Sequence, residues 1–480
     1  MKKERNEMNI LIVNGSPKGK YSITLQTGKY LELLYPEHKF EVIHAGQIIK
    51  KLQRDFTPAR EMLEEADLVI FSYPVYTFIA PSQLHYFIDL MKKSGMDFSD
   101  KFATQISTSK HFYDVTAHKY VEDNCYDMGF KYLKGLSADM DDLSTKKGQQ
   151  DAEEFFRLVL WQIENNFYEL PQREPRKAKK AVKATADCDN IAKSDGMIAI
   201  VTDATPEDKN LLTMIERFRK RVSLNTKVIN ISEFPIKGGC LGCFKCAVSG
   251  HCFYKDGYEN LLREEIQSCN ATVYAFTIKD HSMGPRFKMY DDRQFCNGHR
   301  TVTMGAPVGY LVSGEYSIEK NLQTILEGRA GVGGNYLCGV ATDEFDPDRE
   351  VDRLAGTIAY AVKNRYTQPA DFLGVGGMKI FRDLIFIMQG LMKADHKFYK
   401  AHGQYDFPQK QMPRVLAIYL VGGLMAMPVK GGKAKAKMTQ MMNEGMIMPY
   451  QKALKEAEKR GAEKKVSVAE AQEKELVEVK

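Results

Sequence analysis

Two hydrophobic patterns alternate along most of the chain: short apolar runs, and longer stretches where apolar residues recur every three or four positions. The run Asn9-Ile10-Leu11-Ile12-Val13 closes on Asn14-Gly15-Ser16, and a helical pattern follows over residues 22–34. Further strand-like runs fall at 40–43, 67–71 and 102–107, with helical patterns at 81–93, 115–128 and 151–167. Apolar strands alternating with helices predict a parallel sheet covered on both faces. Trp161, on the last of these helices, is expected in the core.

Residues 171–195 lose periodicity and are rich in Pro, Arg, Lys and Ala, as a linker is. The rhythm then restarts. Strands are predicted at 197–201, 227–231, 271–276, 308–312 and 336–340, and helices at 206–221, 258–267, 318–326 and 348–366. The repeated rhythm predicts an internal duplication. Beyond 366 it breaks: an apolar-rich helix is predicted over 378–392, and the apolar stretch 415–427 is too short to span a bilayer. Such segments pack on a neighbouring domain or a second subunit, or touch a membrane peripherally. Residues 451–480, rich in Lys, Glu and Ala, read as an exposed helix or a disordered tail. The expected organisation is an α/β domain over 1–170, a basic linker over 171–195, a second α/β domain over 196–366, and a helical extension with a charged tail over 367–480. Both domains are expected to be doubly wound parallel sheets.

Composition changes this picture little. Hydrophobic content of 44% and charged content of 27% are ordinary for a globular chain. The first residues lack the apolar core of a signal peptide, and no stretch of about 18 apolar residues is present, so a cytoplasmic protein without a spanning helix is expected. The net charge of +6 suggests nucleic acid until it is located. Residues 173–183 carry six bases and one acid, Lys430, Lys433, Lys435 and Lys437 add four more cations, and the rest is slightly acidic. The basic excess marks a linker and a tail, not a nucleic-acid-binding face.

Candidate chemistry begins where the first strand ends. Gly15-Ser16-Pro17-Lys18-Gly19-Lys20-Tyr21-Ser22-Ile23-Thr24 gathers hydroxyls, cations and free N–H groups just before a helix, which makes an anion cradle. It lacks both the Walker ending and the G-x-G-x-x-G fingerprint, so a phosphate monoester fits better than a nucleoside triphosphate or a dinucleotide. The third strand runs into Tyr73-Pro74-Val75-Tyr76-Thr77-Phe78, an aromatic loop able to cover a flat ring. The fourth runs into Ser107-Thr108-Ser109-Lys110-His111, which offers polar groups to that ring. In doubly wound sheets ligands bind outside the carboxyl ends of the strands, so these three loops describe a site for FMN. His111 is a candidate to sit beside the flavin pyrimidine.

Four of the nine cysteines fall within thirteen residues, as Cys240-x2-Cys243-x2-Cys246-x5-Cys252. A cubane four-iron cluster (4Fe-4S) needs four soft ligands that can converge in this way. Zinc is a poorer match, because its ligands usually come as two separated pairs, and thiols without metal are a third reading. Cys125, Cys188, Cys269, Cys296 and Cys338 follow no ligand spacing. His281 is a candidate proton donor or a structural histidine.

Gly15-Ser16-Pro17-Lys18, Ser22 and Thr24, with Pro74-Val75-Tyr76 and Pro81-Ser82-Gln83-Leu84, resemble the flavodoxin-like NAD(P)H-dependent FMN reductases. The resemblance spans most of residues 8–170. It implies that Ser16, Lys18, Ser22 and Thr24 hold the FMN phosphate, that Pro74, Val75, Tyr76, Thr77 and Phe78 touch the isoalloxazine, and that NAD(P)H is the electron donor. Flavin sites of this family commonly lie at dimer interfaces, so a homodimer is implied too. The cysteine run, Lys255-Asp256-Gly257, Lys279-Asp280-His281 and Asp291-Asp292-Arg293 make the second domain similar to the iron–sulfur flavoproteins, which pair FMN with a four-iron cluster for electron transfer. One departure matters: at the phosphate loop the second domain has Thr202-Asp203-Ala204-Thr205-Pro206-Glu207-Asp208, whose carboxylates repel a phosphate. One FMN per chain is therefore expected, in the first domain. The expected function is a flavin oxidoreductase passing electrons between FMN and the cluster, to a small-molecule or protein acceptor. The alternative is a non-catalytic electron carrier or scaffold whose cysteines bind no cluster.

Overall fold

The computed structural model describes residues 7–171 and 180–425 and the isolated positions 437, 440 and 444. The predicted tail at 451–480 and residues 172–179 of the predicted linker lie outside the described residues. The first half comprises β1 (Asn9–Asn14), α1 (Ile23–Leu34), β2 (Lys39–Ile43), α2 (Ala45–Leu52), α3 (Thr57–Glu65), β3 (Leu68–Pro74), α4 (Ser82–Lys93), β4 (Phe102–Ser109), α5 (Asp114–Asp127), β5 (Lys131–Tyr132), β6 (Leu136–Asp139) and α6 (Lys146–Glu164). Its parallel sheet has the order β2-β1-β3-β4-β5, with β6 pairing the carboxyl end of β4.

The second half comprises β7 (Ser194–Thr202), α7 (Lys209–Arg221), β8 (Leu224–Asn230), α8 (Lys245–Ser249), α9 (Tyr258–Asn260, continued by a π-helical turn to Ile266), β9 (Ala271–Thr277), α10 (Gly284–Arg293), β10 (Pro307–Ser313), α11 (Lys320–Gly333), β11 (Tyr336–Thr342) and α12 (Pro347–Asn364). Its sheet runs β8-β7-β9-β10-β11, the same doubly wound, flavodoxin-like order. After it come α13 (Phe372–Ile387), α14 (Lys393–Ala401) and α15 (Met412–Met425). The described residues fall in two compact units. One ends at Tyr405 and contains both sheets with α13 and α14; the other begins at Asp406 and contains α15.

Strands β1, β3, β9 and β10 are largely apolar because helices cover both sheet faces. In β1, Ile10 and Ile12 join a core with Leu25 and Phe156, while Leu11 and Val13 point the other way, into a core with Leu63 and Leu84. In β7, Ile198 and Ile200 pack with Leu211 and Ile358, and Ala199 and Val201 with Leu262 and Phe287.

The halves dock through equivalent elements, α4 on α10 and α5 on α11. Each half also sends a tight turn into the other. Tyr76 and Ile79 bridge across Thr77 and Phe78; Lys279 and Ser282 bridge across Asp280 and His281. All four tip residues have positive φ (41°, 75°, 50° and 61°), a left-handed geometry usually left to glycine or asparagine. The turns keep it because their tips are tied down. The Thr77 hydroxyl donates to Asp292 (2.7 Å), and Asp280 accepts from Tyr120 (2.9 Å) and meets His85 (2.9 Å).

Several details depart from the sequence expectation. Residues 180–193 are polar but not a free linker: the Val182 N–H donates to Asp343 O (2.7 Å), and Thr185 donates through N–H and hydroxyl to Asp348. α7 begins at Lys209, not at 206, because Asp208 accepts the Thr205 N–H and hydroxyl and holds that segment in a turn. Trp161 is half-exposed; α6 buries Ala152, Phe156, Val159 and Leu160, and Trp161 leans outward on Phe167. α2, α3 and α10 went unpredicted.

Candidate active site

β1 delivers Asn14, fully buried, to the start of the phosphate-type loop. Its Oδ1 accepts the Ser16 N–H (3.2 Å) and its amide donates to Gly19 O (2.9 Å). The Ser16 hydroxyl accepts the Lys18 N–H (3.3 Å), and Ser22 caps α1 by accepting the Leu25 N–H (3.4 Å). The loop lies so tightly on α2 that a Cβ at Gly46 would come within 2.2 Å of Gly15 O. The amino end of α1 thus faces a cavity lined by Ser16, Lys18, Ser22 and Thr24, where an anion is favoured by the helix dipole and free N–H groups.

From β3 and β4, Pro74, Val75, Tyr76, Thr77, Thr108, Ser109 and Lys110 line the same cavity. The Thr24 and Thr108 hydroxyls bond to each other, whereas the buried Ser109 Oγ has no partner among the described residues. Lys110 is neutralised by Asp139 (2.7 Å) and Asp141 (2.5 Å). Lys18 makes no ion pair among the described residues and lies 5.4 Å from the Phe244 ring centre. Two predicted residues sit elsewhere. Phe78 turns back against Phe112 and Tyr113, because its left-handed backbone reverses the chain there. His111 is more than half exposed and bonds Asp114 (2.8 Å), away from the cavity.

The second half supplies the opposite wall. Cys240, Cys243, Cys246 and Cys252 all line this cavity, and so does Cys296. All are free thiols. The cysteine loop meets the first half directly: Gln83 donates to Cys240 O (3.2 Å), and at Gly242 (φ +60°) a Cβ would lie 2.0 Å from the Tyr76 hydroxyl. Burial pushes the Cys240 thiol pKa up and takes that of Cys246 to about 11, where the nearby Asp395, Cys243 and Cys252 add to the shift; burial likewise takes Cys296 to about 12. The upward shifts set these thiols apart from the low-pKa cysteines that act as nucleophiles. Among the described residues no three His, Cys, Asp or Glu side chains converge as a single-ion site, so the thiols ring a cavity and do not meet at one point.

The last turn of α10 holds both walls. Asp292 accepts the Ser82 N–H and the Thr77 hydroxyl (2.7 Å each), while Lys288, paired with Asp292, donates to Tyr76 O (2.8 Å). Arg293 is buried between the Tyr254 and Tyr258 rings. It pairs twice with Asp256 (2.9 Å) and donates to Gly238 O (3.0 Å) at the stem of the cysteine loop.

The extension closes the cavity with Ile380, Phe381 and Leu384 of α13 and with Met388, which follows it. His299 also lines it. Its Nδ1 (3.1 Å) and backbone N–H (3.1 Å) both meet the buried Asp395 of α14. Sequence reasoning missed His299 and Asp395, which lie 96 residues apart in segments without motif or period. His281 stands outside the cavity as a strut between the halves. Burial lowers its pKa, but bonds to Asp127 (3.0 Å) and Glu319 (3.1 Å) outweigh this and hold it at about 9.

The matching edge of the second half is occupied by its own side chains. Asp208 accepts from Thr205 and from the Thr277 hydroxyl (2.7 Å), Asp343 accepts from Ser313 and the Gly314 N–H, and burial raises the Asp203 pKa to about 6. Carboxylates sit where a phosphate would need donors.

Residues 8–125 match the sequence profile of the family described as NADPH-dependent FMN reductase. Solved structures similar to part of the chain include the NAD(P)H:quinone oxidoreductase from Methanothermobacter marburgensis (13% identity, 35% of this chain and 100% of that one, TM-score 0.27). Others are an NADH:FMN oxidoreductase in its apo form (18%, 34% and 92%, TM-score 0.29) and an FMN-dependent NADH-azoreductase from Bacillus anthracis (17%, 32% and 99%, TM-score 0.24). No curated protein matches. The stretch matched by the profile contains the loop from Ser16 to Thr24 and the Tyr76 loop, both of which line the cavity.

Proposed function

We propose that the first half holds a single FMN, with its phosphate at Ser16, Lys18, Ser22 and Thr24 and its ring between the Tyr76 loop and the cysteine loop. The residues suit the group: a cation and a buried hydroxyl, each without a partner among the described residues, and a capped helix end face one cavity. FMN, when bound, takes a hydride from NAD(P)H and releases electrons singly or in pairs. Thr108 and Ser109 would offer hydroxyls to the ring, Tyr76 and Thr77 would line one side of it, and Phe381, Leu384 and Met388 would exclude water. Cys240, Cys243, Cys246 and Cys252 are the ligands we assign to a four-iron cluster, which would accept single electrons beside the flavin. The observation that carries this reading is that all four cysteines and the FMN-type loops line one cavity within one chain.

Anaerobically purified protein should show flavin absorption, and NAD(P)H should bleach it. Bleaching followed by turnover with added acceptors supports an enzyme; bound flavin without turnover favours an electron carrier. A second reading, a flavin enzyme whose thiols bind no cluster, draws on the lack of a convergent ligand set among the described residues. Bound flavin with no iron after anaerobic reconstitution would establish it.

A further inference from the structure

A second cavity, of about 180 Å³, adjoins the first; Thr77, Phe112, Phe295, Gly298, His299 and Phe381 line both. Further walls come from the beginnings of β9 (Thr272) and β10 (Pro307, Val308) and from the last turns of α11 (Arg329, Ala330). This is away from the carboxyl ends of the strands, where doubly wound sheets bind their cofactors. Among the described residues, no cysteine and no residue of the phosphate loop lines it. Two kinds of chemistry meet there. Phe78, Phe112, Phe295 and Phe381 form an aromatic wall, with the Phe112 and Phe381 rings stacked at 4.4 Å. Arg329 and Arg300 add two guanidiniums, and among the described residues no carboxylate lines the cavity. Each arginine is anchored by a carboxylate outside that lining: Arg329 Nη2 meets Asp291 (2.6 Å), and Arg300 Nε lies 3.6 Å from Asp395. The anchoring offsets part of the charge but leaves donors over. Arg329 Nη1 is buried and has no partner among the described residues, which costs free energy until an acceptor meets the guanidinium.

We propose that this cavity binds a single-ring aromatic carboxylate, with its ring against the phenylalanines and its carboxylate at Arg329. The size agrees, since a dry cavity of ~150 Å³ takes up benzene. So does the chemistry: offset or edge-on packing against phenylalanine rings favours a flat aromatic body, and guanidinium donors form their strongest hydrogen bonds to carboxylates. Asp291 holds the Arg329 guanidinium in place, so little ordering remains for the ligand to impose. The site is independent of the flavin, and the proposal stands or falls apart from the FMN assignment.

The test is calorimetric titration of the full-length protein with benzoate, benzamide and acetate. Benzoate should bind at one site per chain. Benzamide keeps the ring without the charge, and acetate the charge without the ring; each should bind more weakly by about tenfold or more. Ala306→Phe places a ring in the cavity, which Ala306 lines, and should abolish benzoate binding. Arg329→Lys keeps a cation beside Asp291 but loses the planar fork, and should weaken benzoate by about tenfold. Unfolding temperature reports whether each variant folds. No saturable benzoate binding, or equal affinity for all three probes, overturns the proposal. So does benzoate binding that a folded Ala306→Phe leaves intact, or that Lys18→Met abolishes, since benzoate would then sit in the flavin cavity.

Discussion

Lys18 and Ser109 both line the cavity, and they predict opposite side effects when changed. Lys18 makes no ion pair among the described residues. Lys18→Met should weaken FMN binding by about tenfold or more in a fluorescence titration, with little change in apoprotein stability. Ser109 carries a buried hydroxyl without a partner among the described residues. Ser109→Ala should stabilise the flavin-free protein by about 1 kcal/mol and still weaken FMN binding; a loss of apoprotein stability would show that the hydroxyl is satisfied without the ring. That Ser16, Lys18, Ser22 and Thr24 come together was legible in the sequence because one strand, one turn and one helix end hold them. Phe78 misled for a local reason, since its left-handed backbone turns the ring out of the cavity. His299 and Asp395 were illegible because only tertiary folding brings them together.

At the scale of elements, α10 is the piece that makes one site from two halves. Sequence patterning passed over it, since its apolar positions are few and four of its five charged residues, Lys288, Asp291, Asp292 and Arg293, are buried. Buried ion pairs are strongly destabilised when one partner is removed. Asp256→Ala leaves Arg293 buried without its carboxylate and should cost about 3–5 kcal/mol in denaturant unfolding, whereas Asp256→Leu combined with Arg293→Met should recover much of it. The His281 strut gives a pH signature. With its folded pKa raised to about 9 from 6.5, it contributes stability that is full below pH 6.5 and lost as pH climbs through 9. His281→Gln should flatten the fall in unfolding temperature across that window; an unchanged slope would show that the strut does not couple the halves.

Over the whole molecule, the two sheets share one strand order but not one chemistry. The repeated rhythm of strands and helices was readable because parallel strands covered on both faces are apolar along their length. The carboxylates after β7 were readable too, as a phosphate loop with the wrong charge. How the halves dock was not readable, because the α4–α10 contact and the crossed turns depend on pairs far apart in sequence, such as Thr77 with Asp292 and His85 with Asp280. That docking sets the cysteine loop over the Tyr76 loop within a single chain, where the second half supplies the wall that a partner subunit could otherwise give. The most direct test is to count FMN and iron per chain in anaerobically reconstituted protein, alongside Cys243→Ser. One FMN with about four irons in the parent, and one FMN with that iron lost in the variant, is the predicted result. Two FMN per chain, or iron content unchanged by Cys243→Ser, would contradict the assignment.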